Sequence, residues 1–184
     1  ALLAVLFALT APACTNLLVG KKASKNGACF ITYSADSYGM YGRMLHYPAG
    51  KHAPGTMRKI VDGDTHKPLG EIPEAPYTYN VVGNINEHQV AITETTFGGR
   101  EELWPKNPVG GIDYVSLMAL GLQRAKTARE AIRVMTDLVA RYGYASEGES
   151  FSVADPNEAW ILEMIGKGDS SHLCPLCRND CHHL

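Results

Sequence analysis

The sequence has no marked excess of charge of either sign: 17 basic and 19 acidic residues leave a formal net charge of -2. It carries no basic stripe, which argues against nucleic acid as a partner. It also lacks a long apolar run. The uncharged opening ALLAVLFALTAPA covers only residues 1–13, short of the roughly 20 residues a membrane-spanning helix needs. No long internal repeat and no low-complexity tract is present, which sets aside solenoids and compositional linkers. What is present is ordinary for one globular domain. With 45% hydrophobic and 20% charged residues, 184 residues can bury one sizeable core.

The opening segment has neither an initiator Met nor a basic start. It ends in small residues, Ala11 and Ala13, around Pro12. An apolar stretch closed by Ala-x-Ala is the pattern of a secretory signal and its cleavage site. Residues 1–13 are therefore expected to be a signal-peptide remnant, and the protein to be exported. The competing reading, a hydrophobic strand or helix of the mature fold, is weakened because Pro12 is costly inside a helix.

Cleavage after Ala13 would leave Cys14 first, with two competing consequences. Lipidation of Cys14 would make the protein a membrane-anchored, ligand-binding lipoprotein. A lipobox usually has Leu or a similar residue three positions before the cysteine, where this chain has Ala11. The other consequence is an N-terminal nucleophile.

Along the chain, TNLLVG (15–20) and ACFITYS (28–34) read as strands around a turn in which Asn26-Gly27 is the strongest signal. Gly and Pro punctuate residues 36–76, which leaves a loop-rich stretch with short strands near Thr56 to Val61. YTYNVVG (77–83) and QVAITET (89–95) predict a second hairpin across NINEH. The period then becomes helical, with Tyr114, Leu117, Met118, Gly121, Leu122 and Ala125 on one face and Asp113 as cap. Thr127 and Glu130 form a capping box for a second helix with an apolar stripe of Ile132, Met135, Leu138, Val139 and Tyr142, stopped by Gly143. SFSVAD (150–155) and AWILEMI (159–165) predict a third hairpin. Antiparallel strands with a segregated helix pair indicate an α+β class.

An N-terminal cysteine brings its own base. Its α-amine titrates near ~8 and a thiol near ~8.5, so proton exchange between them is well matched. The amine can take the thiol proton directly or through one water. The thiolate then attacks a carbonyl, the amine protonates the leaving nitrogen, and water clears the thioester. No distant His is required, and no His here lies in a recognisable cysteine-protease motif.

The stretches CTNLLVGKKASKNG, ITYSADSYGMYG, YTYNVVGNINEHQVAITETTFGGRE, LQRAKTAREAIRVM and ESFSVADPNEAWILEMIGKG follow one another from Cys14 to Gly168. Together they resemble the dipeptidase A family of cysteine peptidases, to which secernins are related, and most of all its exported bacterial members. The resemblance implies an N-terminal-nucleophile hydrolase with an αββα sandwich, a short peptide as substrate, and no metal or organic cofactor. It implies Cys14 as nucleophile and Asp36 as an acidic neighbour that would orient the α-amine. Asp36 next to Ser34 and Ser37 also reads as a simple turn cap. Many relatives have Arg three residues before that acid, but this chain has Tyr33 there, which weakens a charge-based role for the position.

Related acylases place a side-chain amide of the oxyanion hole at the end of the VAITETT strand. This chain offers Glu94, Thr95 and Thr96 instead, as possible oxyanion or substrate contacts. For Glu94 a plain surface strand position is an equally good reading. Cys29 reads as a small core residue.

After residue 168 the resemblance stops. Residues 169–184 end in Cys174, Cys177, Cys181, His182 and His183. These could be read as zinc ligands or a disulfide, but the spacing is cramped and no second paired cluster supports zinc. The organisation expected from sequence is therefore a signal remnant (1–13), the N-terminal part of a hydrolase domain (14–168) and an unrelated tail (169–184). An incomplete sandwich with uncovered apolar surface is expected to be poorly stable, which puts activity at risk. Dipeptide preference and oligomeric state are left open.

Overall fold

The computed structural model describes residues 14–36, 42, 44–104, 110–165 and, as backbone, 172–174. The signal remnant and almost all of the tail lie outside the described residues.

The chain begins with β1 (Thr15–Val19) and β2 (Phe30–Ser34), paired antiparallel from Thr15↔Ser34 to Val19↔Phe30. The expected turn forms. Asn26 Oδ1 accepts a hydrogen bond from the Ala28 N–H at 3.1 Å, and Gly27 takes φ 71°, a backbone conformation suited to glycine. Cys29 precedes β2 and is half-buried rather than part of the core.

The loop-rich stretch is more ordered than its Gly and Pro content predicts. It contains β3 (His46–Tyr47), β4 (Gly50–Lys51), β5 (Met57–Val61) and β6 (Pro68–Pro73). β5 matches the expected strand, and β6 pairs with it as a separate two-stranded sheet. The prolines of β6 stand only at its ends, Pro68 and Pro73, which an outlying two-stranded ribbon tolerates.

The second hairpin differs from expectation. Residues 77–98 form the short β7 (Tyr77–Thr78), β8 (Val81–Val82) and β9 (Ile85–Asn86), then the long β10 (Ala91–Gly98). β8 and β9 make the tight hairpin, while β10 meets β9 only at Ala91↔Ile85. Asparagine side chains add to the backbone bonds Ile92 N–H to Asn84 O and Asn86 N–H to Val90 O here. Asn84 Nδ2 donates to Ile92 O at 2.9 Å, and Asn86 Oδ1 accepts from the His88 and Val90 amides at 3.0 Å. The other amide end of Asn86 donates to Leu122 O and Ala125 O, both at 2.7 Å.

Two helices follow, α1 (Tyr114–Arg124) and α2 (Ala128–Tyr142). Both caps form as the sequence predicts. Asp113 accepts from the Ser116 amide at 3.1 Å, Thr127 from the Glu130 amide at 3.2 Å, and Gly143 ends α2 with φ 84°. Met135, Leu138 and Val139 of the predicted stripe are buried, and Ile132 and Tyr142 pack partly buried against the core. The third hairpin is β11 (Gly148–Ala154) with β12 (Ala159–Ile165), and β13 (His172–Cys174) adds to its edge.

The main sheet has seven strands in the order β13-β12-β11-β10-β9-β8-β3. The helices cover one face. A Cβ placed on Gly121 of α1 would lie 3.0 Å from Ile92 Cδ1 and 3.1 Å from Met135 Cγ, so the glycine lets α1 close on both β10 and α2. Ile92 is opposite Val153, and Thr93 is opposite Ser152. Residues opposite one another share a face, so Ser152 points away from the helices. Asn16 of β1 donates to Ser152 Oγ at 3.2 Å, which puts the β1–β2 hairpin on that second face. The hairpin's outward side leaves Leu17 (56%) and Phe30 (44%) exposed. The architecture is α+β: a helix layer, a central sheet and a smaller strand layer.

Candidate active site

The hairpin register decides what lies near Cys14. Cys14 immediately precedes Thr15, the partner of Ser34, so it stands beside the chain leading to Asp36. Asn16 is opposite Tyr33, and both side chains reach β10. Asn16 Nδ2 donates to Glu94 O at 3.1 Å, and the Tyr33 hydroxyl donates to Glu94 Oε1 in a short hydrogen bond. Two hydrogen bonds thus tie the hairpin to the central sheet at one residue.

A cavity of about 300 Å3 opens there. Its lining includes Cys14, Tyr33, Asp36, Glu94 and Thr96 on the strand side, and Met118 with Leu122 from α1. Four of the five residues singled out from sequence therefore meet in one space. The fifth, Thr95, is half-buried on β10 and is absent from the lining. Strand alternation puts it on the face opposite Glu94 and Thr96. Asp36 is exposed, and Ser34 Oγ donates to its Oδ1 at 3.4 Å. That contact suits a local turn, and the shared cavity suits a role beside Cys14.

Glu94 is not a surface residue. It is only 4% exposed, and its carboxyl group is buried against Tyr33. Tyr33 responds to this environment. Burial, followed by the hydrogen bond to Glu94 and the charges of Glu94 and Cys14, pushes its hydroxyl far above the usual tyrosine range. Tyr33 therefore remains a neutral donor where relatives were expected to carry a fixed cation.

Sequence reasoning missed Glu149, the second residue of β11. It stands opposite Thr96, while Glu94 stands opposite Phe151. The two carboxylates are therefore diagonal neighbours on one face of the sheet. Glu149 is 1% exposed, and its Oε1 accepts from Thr96 Oγ1 at 2.7 Å. Burial pushes its pKa up to about 8, with Glu94 adding to the rise by its charge and by a carboxyl-to-carboxyl hydrogen bond. The sequence signal was a carboxylate adjoining the run SFSVAD, one position before the expected strand start.

Beyond Glu149 lies a larger cleft of about 780 Å3, lined by Asp62, Asp64, Glu101, Glu102, Glu147 and Glu149 among others. Among the described residues no Lys or Arg lines it. Thr96 and Tyr114 line both spaces, so the cleft adjoins the Cys14 cavity. Tyr114 donates to Asp64 Oδ1 at 3.1 Å, and burial, then the Asp64 charge, keeps its hydroxyl protonated. Among the described residues no group of three or more His, Cys, Asp or Glu is arranged to hold a metal ion, and no helix is long and apolar enough to cross a membrane. The zinc and disulfide readings of the tail rest on side chains outside the described residues.

The arrangement is a cysteine beside a neutral hydroxyl donor and buried acids, at the start of the strand layer. The sequence profile of peptidase family C69 matches residues 13–172, which takes in Cys14 and every strand and helix around the cavity. The chain belongs to peptidase family C69. A protein of Latilactobacillus sakei named "Probable dipeptidase" is 31% identical over 170 aligned residues, covering 83% of this chain and 35% of that protein. "Dipeptidase" of Bifidobacterium longum is 28% identical, covering 84% of this chain and 33% of its own length. "Probable dipeptidase A" of Streptococcus pyogenes is 28% identical, with 84% and 36% covered. This C69 chain thus spans about a third of the length of the curated relatives it matches. The resemblance to dipeptidase A read from the five sequence stretches is borne out.

Within the C69 chain, the hydrogen bonds narrow the chemistry open to the strand-end residues. The Thr96 hydroxyl is engaged by Glu149, and the Glu94 carboxyl by Tyr33. An oxyanion needs donors, and neither side chain has one free.

Proposed function

We propose that this chain carries the nucleophile of a cysteine dipeptidase of the N-terminal-nucleophile type. In this reading cleavage after Ala13, on export, frees the α-amine of Cys14. The amine takes the thiol proton, the sulfur attacks the peptide carbonyl, and a thioester forms as the amine protonates the departing nitrogen. Water then hydrolyses the thioester. The substrate class follows from the relatives named dipeptidases. The observation that carries the reading is the cavity shared by Cys14, Tyr33, Asp36 and Glu94 at the start of β1.

The layering supports an αββα sandwich as the parent fold. A helix layer, a sheet and a facing hairpin account for three layers in order. Leu17 and Phe30, exposed on the hairpin's outer side, mark where further chain would pack. Asp36 is proposed to orient the α-amine. The protein-derived groups suffice for the reaction as written.

The test has two parts. Mass spectrometry of the exported protein should find Cys14 first, with an unmodified amine. Dipeptide hydrolysis should then disappear in Cys14→Ala. A mature chain starting elsewhere, a diacylglyceryl group on Cys14, or full activity in Cys14→Ala would overturn the proposal.

A further inference from the structure

Cys14 and Asn16 stand two positions apart at the start of β1, so an extended backbone turns both side chains to the same side of the hairpin. Burial follows that alternation. Cys14, Asn16 and Leu18 are half-buried, whereas Thr15 and Leu17 are exposed. The apolar residues do not choose between the two sides. Leucine stands on each, Leu17 outward at 56% exposure and Leu18 inward. A hairpin with apolar groups on both faces specifies its register weakly. A slip of one residue would exchange the two leucines and carry Cys14 to the outer side.

Asn16 breaks the tie. Its Nδ2 donates to Glu94 O of β10 at 3.1 Å and to Ser152 Oγ of β11 at 3.2 Å, so one amide reaches both central strands. These acceptors lie 78 and 136 residues away along the chain, so the bonds form only when β1 docks on the assembled sheet. Tyr33, the cross-strand partner of Asn16, backs the same face by donating to the Glu94 carboxyl. We infer that Asn16 is a positioning residue for the nucleophile: its two hydrogen bonds to the central sheet fix the face and register of β1 and so turn the Cys14 side chain into the cavity. Its effect on catalysis rests on the peptidase reading. Asn16 is not part of the cavity lining, so it acts through the strand rather than on a ligand. Misplacing a reacting group by about 1 Å can cost on the order of 100-fold in rate.

Two readouts on the full chain test this. The first labels β1. In a Cys14→Ala background, Leu17→Cys and Leu18→Cys chains are treated with a maleimide, and modification at each position is read by peptide mapping. Leu17→Cys should react several-fold faster than Leu18→Cys. Adding Asn16→Ala should bring the ratio toward onefold. Ser152→Ala, which removes one of the two acceptors, should move it part of the way. The second readout is steady-state hydrolysis of Ala-Ala with Cys14 intact. Asn16→Ala should lower kcat about tenfold or more and leave KM within about twofold. A merely structural role would lower the urea midpoint and leave both readouts of the folded chain unchanged. Ser152→Ala decides if Asn16→Ala fails to fold, as read by circular dichroism. A labelling ratio unmoved by both variants overturns the assignment, as does a kcat that stays at the parent value. No turnover by the parent chain, with the labelling ratio shifted as expected, overturns the peptidase reading and keeps Asn16 as the residue that sets the face of β1. Turnover with an unmoved ratio does the reverse.

Discussion

The two adjoining cavities are built from opposite materials. The space at Cys14 is walled on one side by α1, through Met118 and Leu122, and on the other by the hairpin. The neighbouring cleft is larger and dominated by carboxylates. Among the described residues only Thr96 and Tyr114 line both spaces, and both are hydroxyl residues engaged by acids: Glu149 holds Thr96, and Asp64 holds Tyr114. Under the proposed peptidase reading, the difference would separate two tasks: an apolar wall would position a reacting group by shape, and a field of like charges would discriminate by sign.

This contrast can be broken at several points. The largest effect is expected at the sulfur. Cys14→Ala should lower dipeptide hydrolysis by a factor on the order of 10^3 or more, because the covalent route is gone. Steady-state kinetics would check it.

Next is the wall. Gly121→Val puts branched carbon where Ile92 and Met135 already approach within 3.0 to 3.1 Å of a Cβ. Overpacking of this kind costs about 1–3 kcal/mol. Urea unfolding should show a lower midpoint with an unchanged m-value.

Tyr33→Phe removes the hydroxyl from a buried acid. Leaving Glu94 without that donor should cost about 1–3 kcal/mol, read in the same unfolding experiment.

The acidic side is sharpened by pH. The groups electrostatically or sterically close to Glu149 are Glu94 and Thr96 of β10, Glu147 beside it, Tyr144 before β11 and Tyr114 of α1, with Tyr33 acting through Glu94. None of these is a cation. The folded value for Glu149, about 8, lies above its ordinary 4.5. Between these pH values the folded chain holds a proton that the unfolded chain has released. Stability is therefore expected to fall as pH rises from about 4.5 to about 8. Glu149→Gln should flatten that part of the profile, and an unchanged slope would count against the assignment.

The smallest effect is expected away from both cavities. Thr127→Ala should cost about 1 kcal/mol through loss of the α2 cap, with no change in ligand preference.

Local rules were enough for much of the frame. Asn26-Gly27 marked the first turn, Asp113 and Thr127 marked helix starts, and the 3.6-residue stripe of α2 identified its buried side. These signals lie within one or two turns of chain, where backbone and side chain interact directly. The second hairpin was misread because the turn falls earlier, between β8 and β9, and Asn84 and Asn86 hold the following chain with side-chain hydrogen bonds that leave no periodic trace. β6 was hidden by prolines that in fact stand at its ends.

At the site, Cys14 and Asp36 were legible from family resemblance, and Glu94 from its place at a strand end. Burial of Glu94 was not legible, since it depends on a hairpin some sixty residues earlier in the chain, at |i−j|=61. Glu149 escaped for the same reason. Its importance comes from a cross-strand neighbour, Thr96, at |i−j|=53.

The side-chain amide of Asn86 gathers two carbonyls at the end of α1, those of Leu122 and Ala125. Leu122 is also part of the wall around Cys14. The width of the space around Cys14 is therefore set in part by a β9 residue outside its lining. Loosening that pin should let the last turn of α1 drift, and the fit around Cys14 should loosen before the core melts.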